Sequence, residues 1–287
     1  MAIELSGTGV GGLRDVLDVL RVWQRDEPAV HLHPGDLGWF WRFGAEATAA
    51  AVRTWSRDGR MLAVGLLDSP DLMRLTIAPE ARQDIELAAR LGDDLSDPAR
   101  DVLPAGEVLL EAPMDARIQD LLLERSWEPD EAWSPLRRDL SASVEDAGIR
   151  IEVITAERSA VRAVVQRESF DHSTFSAQRW ETMAGGPAYR EARCLVAWEE
   201  AGKPVACVTV WSAGAGKPGL IEPMGVHRDH RGLGYGRAIT LAAARALQDL
   251  GASSAIVGTP SSNVAAVATY RAAGFAQLDG VRDLRRA

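Results

Sequence analysis

The residues best suited to chemistry lie in the segment GVHRDHRGLGYGRA, residues 225–238. Gly232, Gly234 and Gly236 alternate directly after a predicted strand and directly before a predicted helix. Without Cβ atoms, the backbone there can turn sharply and approach a ligand closely. The first N–H groups of a helix have no partner inside it, and with the positive end of the helix dipole they form an anion site. A pyrophosphate fits such a site.

Charged side chains around this loop favour the same ligand. Arg228, Arg231 and Arg237 flank it, and with Asp229 counted the segment 227–237 has a formal charge of +2, histidines neutral. Two other known types of phosphate-binding loop are excluded. The chain has no G-x-x-x-x-G-K-[ST] motif of P-loop proteins, and its glycine spacing is not the G-x-G-x-x-G of dinucleotide-binding proteins.

Two motifs resemble the acetyl-CoA signatures of the GNAT superfamily of N-acetyltransferases. The first is R-x-x-G-x-G, at Arg231, Gly234 and Gly236 after the strand IEPMGV. The second is N-x-x-A-x-x-x-Y-x-x-x-G-F, at Asn263, Ala266, Tyr270, Gly274 and Phe275. The resemblance covers about residues 149–287. It implies an acetyl-CoA-dependent N-acetyltransferase that moves an acetyl group directly to a primary amine of a small molecule or peptide.

The resemblance also implies which residues bind the cofactor. Pantetheine would pair with Met224, Gly225 and Val226, and this needs an open strand edge. Pro223 would help to create that edge because proline lacks the N–H for a ladder bond. The phosphates would be bound by Arg231, Gly232, Leu233, Gly234, Tyr235, Gly236 and Arg237. Asn263 would contact the cofactor, serve as a plain helix N-cap, or do both.

Two side chains are candidates for proton transfer. An alkylammonium has a pKa near 10, so a base must take its proton, and Glu222 is the best candidate. The alternative for Glu222 is an ordinary surface or structural carboxylate. Tyr270 is at the family position for the acid that protonates the departing thiolate, and its alternative is a packing role. A backbone N–H in 224–226 would stabilise the oxyanion.

The histidines are weaker candidates for a role in ligand binding or catalysis. His227 and His230 lie beside the loop, where they would touch the ligand or be solvated. His172 lies where this fold often builds its acceptor pocket. His31 and His33 are two residues apart without further ligands, so no metal site is predicted.

The order of the predicted helices and strands indicates a mixed α/β fold, which can also be classed as α+β because its central sheet is mixed. Strands and helices alternate in the second half, and the first half repeats the order more faintly. We predict two GNAT-like domains, each a mixed central sheet flanked by helices, at 1–145 and 146–287. An unrelated α/β domain is the alternative for the first half.

The first domain departs from the family pattern. After LTIAPE, residues 75–80, no glycine-rich loop follows, and Trp127 stands where the family often has glycine-phenylalanine. This predicts a degenerate first domain that has lost cofactor binding. Its tryptophans are predicted to fill its core or the contact with the second domain; they are Trp39, Trp41, Trp55, Trp127 and Trp133.

The composition of the chain indicates which other kinds of partner it can bind. The net charge of −9 argues against nucleic-acid binding, and the acidic excess lies in residues 1–140. An acidic first half favours a cationic acceptor. Without a bilayer-length apolar tract or a signal-like start, we expect a cytoplasmic protein that contacts no membrane. It would be a monomer with an internal pseudo-dimer, or a homodimer. Cys194 and Cys207 lie in apolar runs and are predicted to be buried thiols.

Two alternatives to acetyl transfer stay open at this point. One is a non-catalytic regulatory protein that binds acyl-CoA. The other is an enzyme whose donor carries a larger acyl group.

Overall fold

The computed structural model describes residues 2–26 and 32–287, and these form alternating strands and helices. The first half contains β1 (Glu4–Gly7), α1 (Leu13–Trp23), α2 (Pro34–Phe40), α3 (Ala45–Ala51), β2 (Val52–Arg57), β3 (Arg60–Ser69), β4 (Leu72–Ile77), α4 (Ile85–Ser96), β5 (Val108–Glu111), α5 (Arg117–Glu124) and β6 (Glu128–Asp139). The second contains β7 (Arg150–Val153), α6 (Ser159–Ser169), α7 (Ala177–Ala184), β8 (Ala192–Trp198), β9 (Pro204–Ser212), β10 (Gly219–Val226), α8 (Tyr235–Asp249), β11 (Ser254–Pro260), α9 (Val264–Ala272), β12 (Ala276–Gln277) and β13 (Val281–Arg286).

One mixed sheet joins the two halves. Its order is β1-β2-β3-β4-β5-β13-β6-β11-β10-β9-β8-β7, with β12 paired to β6. Strand β6 pairs with β11 of the second half from Asp139 to Trp133. The last strand, β13, lies antiparallel between β5 and β6. The predicted mixed α/β architecture is confirmed, and the two halves share one continuous sheet because these strands cross between them.

The hydrophobic core continues across the two halves. Leu17, Leu37 and Val64 from the first half belong to the same buried cluster as Val196 and Trp211 from the second. Helix α2 lies directly on the Trp211 indole. A Cβ added at either glycine of α2 would come within 2.4–2.5 Å of that ring system, so only glycine permits the approach; the two are Gly35 and Gly38.

The tryptophans and cysteines lie where the sequence predicted them. Trp55 and Trp127 are buried in the core of the first half. Trp39 and Trp41 pack against the cluster shared by both halves. The remaining one, Trp133, lines a cavity between the halves. Both cysteines, Cys194 and Cys207, are fully buried free thiols.

Helix α8 forms because its sequence is rich in alanine and leucine and has no internal proline. Its buried residues include Ile239, Leu241 and Leu247, and it packs on β8 and β9. The chain leaves the helix at Gly251, whose φ of +80° suits glycine at a helix end. Within residues 2–26 and 32–287, the helices are too short or too polar to cross a bilayer.

Candidate active site

Strands β10 and β11 separate from each other after a short parallel contact. They pair only at Gly219 and Leu220 of β10, whereas β10 stays paired with β9 up to Val226. The register shifts between Ile221 and Met224, around the cis Glu222–Pro223 peptide. The Met224–Val226 stretch therefore has a free edge on the β11 side, as Pro223 predicted.

The glycine loop leads into the N-terminus of α8 next to this edge. Gly232 and Gly234 have φ values of +78° and +86°, which favour glycine. Gly234 is the N-cap of α8, and no side chain of the described chain makes the cap hydrogen bond. A Cβ at Gly236 would lie 2.9 Å from Thr269 Cγ2, so α8 and α9 are close there. The first amides of α8 are thus left for an anion.

A cavity of about 370 Å³ opens where β10 and β11 separate. Both predicted catalytic residues, Glu222 and Tyr270, line it. Met224 and Asn263 from the predicted cofactor site also line it. The cavity extends to strands of the first half and to Trp133 on β6. A volume of this size is typical of a small-ligand pocket.

Tyr270 is held by α9 with its ring against Phe275, at 6.0 Å between centroids. Only 5% of Tyr270 is exposed, and its hydroxyl has no hydrogen-bond partner among residues 2–26 and 32–287. Burial raises the pKa of the Tyr270 phenol above its ordinary value, and the negative charge of Glu222 adds to this effect. The phenol is therefore protonated at neutral pH and is available as an acid.

Glu222 is fixed through its backbone and faces a cation through its side chain. The Trp211 indole N–H donates to the Glu222 carbonyl oxygen at 2.6 Å. Arg74 Nη2, from β4 of the first half, lies 3.6 Å from Glu222 Oε1. The Glu222 side chain is 28% exposed and lines the cavity.

The second half of the chain matches a known protein family over most of its length. Residues 157–275 match the family model described as Acetyltransferase (GNAT) family. Residues 157–275, which match this family, are called the GNAT domain from here on. The model ends at Phe275, so the predicted signature at 263–275 lies inside the match. No curated protein sequence matches the chain.

Solved structures share the fold over the whole chain. A tandem GNAT protein from the clavulanic acid biosynthesis pathway has a TM-score of 0.62 at 14% identity, over 99% of this chain and 98% of that one. A GNAT-family acetyltransferase from Colwellia psychrerythraea has a TM-score of 0.62 at 15% identity, with the same coverage. A GCN5-related N-acetyltransferase from Sphaerobacter thermophilus has a TM-score of 0.59 at 17% identity, over 99% of this chain and 95% of that one. At these identities the likeness shows the fold.

The arginines around the loop of the GNAT domain are bound to the protein itself. Arg231 Nη2 donates to the Ser169 carbonyl at 2.8 Å, and Arg237 Nε donates to the Ala272 carbonyl at 2.9 Å. Arg228 pairs with the Glu168 carboxylate at 3.1 Å. These side chains fasten the loop to the ends of α6 and α9. The loop leaves backbone amides free at the start of α8, and phosphate contact by the arginines stays a prediction.

The other predicted cofactor residues differ in exposure. Asn263 Oδ1 accepts from the Ala266 N–H at 3.1 Å, which confirms its N-cap role in the GNAT domain. Its contact with a cofactor stays a prediction. Leu233 is 63% exposed and Tyr235 is half-buried. A Cβ at Gly225 would lie 2.5 Å from Ser169 Cβ, so this glycine lets α6 approach β10.

The histidines near the GNAT loop interact with each other. His227 Nδ1 accepts from the Asp229 N–H, and the rings of His227 and His230 are 5.2 Å apart. His172 is exposed and is not among the residues that line the cavity.

His33 has a structural role in the first half. His33 is buried, caps α2 through Nδ1 and donates from Nε2 to the Pro218 carbonyl at 3.2 Å. His31 lies outside the described residues. Among the described residues no group of three or more potential ligands could hold a metal ion.

Four charged residues in the cavity were missed by the sequence analysis. They are Asp36 on α2, Arg74 on β4, Glu111 on β5 and Asp283 on β13. For Glu111 and Asp283 the available signal was an acidic residue next to an apolar one in a short strand segment, as in VLLE and VRDLRR. The pattern reveals a buried charge, but only the order of the strands places all four in one cavity.

Helix α4 of the first half has a different kind of N-terminus from α8. Asp84 is the N-cap of α4, and its Oδ1 accepts from the Leu87 N–H at 2.9 Å. Arg57 Nη1 lies 2.7 Å from Asp84 Oδ2. A carboxylate of the protein thus occupies the place where an anion would bind. In the GNAT domain the same place has a glycine.

Proposed function

We propose that the chain is an N-acetyltransferase that uses acetyl-CoA and transfers the acetyl group directly to a primary amine of a small molecule or peptide. The observation that carries the proposal is the shared cavity of Glu222 and Tyr270, which opens at the free edge of β10 beside the glycine-capped start of α8. A carboxylate and a protonated phenol in one cavity are the two groups that amine acetylation needs.

The residues present fit acetyl-CoA. The free edge at Met224–Val226 would pair with the pantetheine amides, and the amides of Gly234 to Gly236 would hold the pyrophosphate. When bound, acetyl-CoA supplies a thioester as the acyl donor. Glu222 would take a proton from the amine, and Tyr270 would donate one to the departing sulfur. A backbone N–H of the 224–226 stretch would stabilise negative charge on the carbonyl oxygen.

We further propose that the first half is a degenerate GNAT-like domain, with a boundary near residue 145. The Asp84 cap on α4 supports this, because a fixed carboxylate repels phosphate. The resulting internal pseudo-dimer would have one cofactor site. Its first half would supply the far wall of the cavity rather than a second reaction centre.

A thiol-release assay with acetyl-CoA and a panel of amines tests the proposal. We expect release that depends on the amine and yields one acetylated product per thiol. A non-catalytic acyl-CoA-binding protein would release none with any amine. Propionyl- and succinyl-CoA in the same assay would measure the preference for the acyl chain.

Replacing Glu222 by glutamine is expected to lower kcat/KM for the amine about 100-fold near neutral pH, because the amide cannot accept the proton. The defect should shrink as the pH approaches the amine pKa near 10, where free amine is already present. The measurement is a pH profile of both proteins. Glu200→Gln, an exposed carboxylate in the turn between β8 and β9, is the control. Wild-type rates for Glu222→Gln across the profile would remove Glu222 as the base.

A further inference from the structure

The cavity beside Glu222 contains more carboxylates than cations. Among the described residues its lining includes Asp36, Glu111, Glu222 and Asp283, but only one guanidinium, Arg74, a formal charge of −3. Charge buried in an apolar cavity costs free energy unless it is neutralised by a proton or paired with an opposite charge. The lining therefore has fewer positive charges than carboxylates, and a cationic ligand could pair with one of the carboxylates that Arg74 leaves over.

The single guanidinium is already paired. Arg74 Nη1 lies 2.9 Å from Asp36 Oδ1, and Arg74 Nε lies 3.1 Å from Asp68 Oδ2. Arg74 Nε is also 3.7 Å from Glu111 Oε2. Because these carboxylates surround Arg74, no cation in the lining is left to bind an anionic acceptor. The cavity favours positive ligands and disfavours negative ones.

Asp283 is a buried carboxylate without a partner in the described part of the chain, and such a group indicates where a ligand of opposite charge would bind. It is only 9% exposed and lines the cavity, yet its carboxylate has no hydrogen bond or ion pair within residues 2–26 and 32–287. It lies two positions after Val281 on β13, and both residues line the cavity. Burial and the nearby charge of Glu111 together raise the pKa of Asp283 to about 7, against the opposing effect of Arg74.

The rest of the wall suits a hydrocarbon chain. Trp133, Leu136, Leu278 and Val281 line the cavity on the β6 and β13 side. The transfer of methylene groups from water to such an apolar surface is favourable in free energy. A ligand that satisfies both the apolar wall and the unpaired carboxylate has an aliphatic chain with a positive end.

We propose that the acceptor is an aliphatic diamine, one amine of which is acetylated while the other, as an ammonium, pairs with Asp283 and Glu111. This inference rests on the proposed function. The neutral amine nitrogen bonds to the acetyl carbon while the carbon–sulfur bond breaks. The proton of the amine passes to Glu222, and the sulfur receives the Tyr270 proton. The second ammonium is unchanged, and its binding site comes from β5 and β13.

Matched amines test the inference. The probes are 1,4-diaminobutane against butylamine and 1,6-diaminohexane against hexylamine. We expect the wild type to prefer the diamine by at least about tenfold in kcat/KM, the value of one charge-assisted contact. Asp283→Asn should lose this preference, so that its kcat/KM values for the diamine and the matched monoamine become similar. Asp249→Asn removes the same charge from the exposed side of α8 and should keep the preference.

Thermal shift without a donor separates this inference from the transferase proposal. A diamine should raise the Tm of the wild type more than its matched monoamine, and Asp283→Asn should show no such difference. Equal turnover of both amines would overturn the diamine inference and leave the transferase standing. Diamine binding without thiol release would overturn the transferase proposal, and with it the acceptor role of the diamine, and would leave only a diamine-binding site. If Asp283→Asn does not fold, Glu111→Gln is measured instead. An equal rise in the Tm of the wild type with the diamine and with its matched monoamine would overturn the inference.

Discussion

Replacing Tyr270 by phenylalanine is expected to lower kcat about 100- to 1,000-fold and to leave the KM for acetyl-CoA unchanged. The phenyl ring keeps its contact with Phe275, and the lost hydroxyl has no hydrogen-bond partner among the described residues. The fold should therefore be unaffected, and the loss is confined to the proton donor. Because the pKa of Tyr270 is raised, the wild type should not lose activity on the alkaline side through this group below about pH 10.

Steady-state kinetics of two variants measure this effect. The chain has three tyrosines, and Tyr189→Phe is the matched control because Tyr235 lies in the predicted phosphate loop. Tyr189 is largely buried against Trp180 and Trp211 but does not line the cavity. The control should keep kcat within about threefold, a difference of less than 1 kcal/mol. If Tyr270→Phe did the same, the sulfur would receive its proton from another source, such as water.

Replacing Trp211 by alanine is expected to lower the free energy of unfolding by about 3–5 kcal/mol. Trp211 is 1% exposed and lies under both glycines of α2, so its loss leaves a cavity where the two halves meet. The variant also removes the hydrogen bond to the Glu222 carbonyl. Because that bond fixes the irregular part of β10, the variant should lose activity even where it is fully folded.

Urea unfolding and kinetics of the folded variant give the two measurements. Trp198→Ala is the control, because Trp198 is 7% exposed and its indole N–H has no partner within the described chain. It should lose stability through burial alone and keep the kinetic constants. A Trp211→Ala protein with wild-type kinetics would show that the indole does not position Glu222. A loss of stability below about 1 kcal/mol would contradict its place in the shared core.

Local sequence signals predicted the parts of the site that depend on neighbouring residues. Gly234 and Gly236 predicted the turn and the helix start, and Pro223 predicted the separation of β10 from β11. Tyr270 and Glu222 were placed by position within motifs, and the structure brings them into one cavity. Such features follow from backbone conformation and short spacing, which the sequence carries directly.

The features that were not predicted depend on contacts distant in sequence. Leu284 of β13 pairs with Leu110 of β5, and no local pattern specifies that register. The grouping of Glu111 with Asp283 follows from this pairing. The hydrogen bond from Arg231 to the Ser169 carbonyl at the end of α6 was likewise not predicted. Long side chains reach several partners, and tertiary packing decides which one they bind. The sequence analysis assigned no helix or strand to the segment before residue 60, so β1, β2, α1, α2 and α3 were also missed.

Isothermal titration of the purified protein with acetyl-CoA tests the central claim, that the start of α8 and the edge of β10 bind the cofactor. We predict one site per chain in the wild type. Gly234→Val should bind at least about tenfold more weakly, because a β-branched residue cannot keep the φ of +86° without strain. Gly59→Val places the same change at a φ of +76° in the β2–β3 turn and should bind normally. A folded wild-type protein that takes up no acetyl-CoA, or equal affinity in Gly234→Val, would contradict the account.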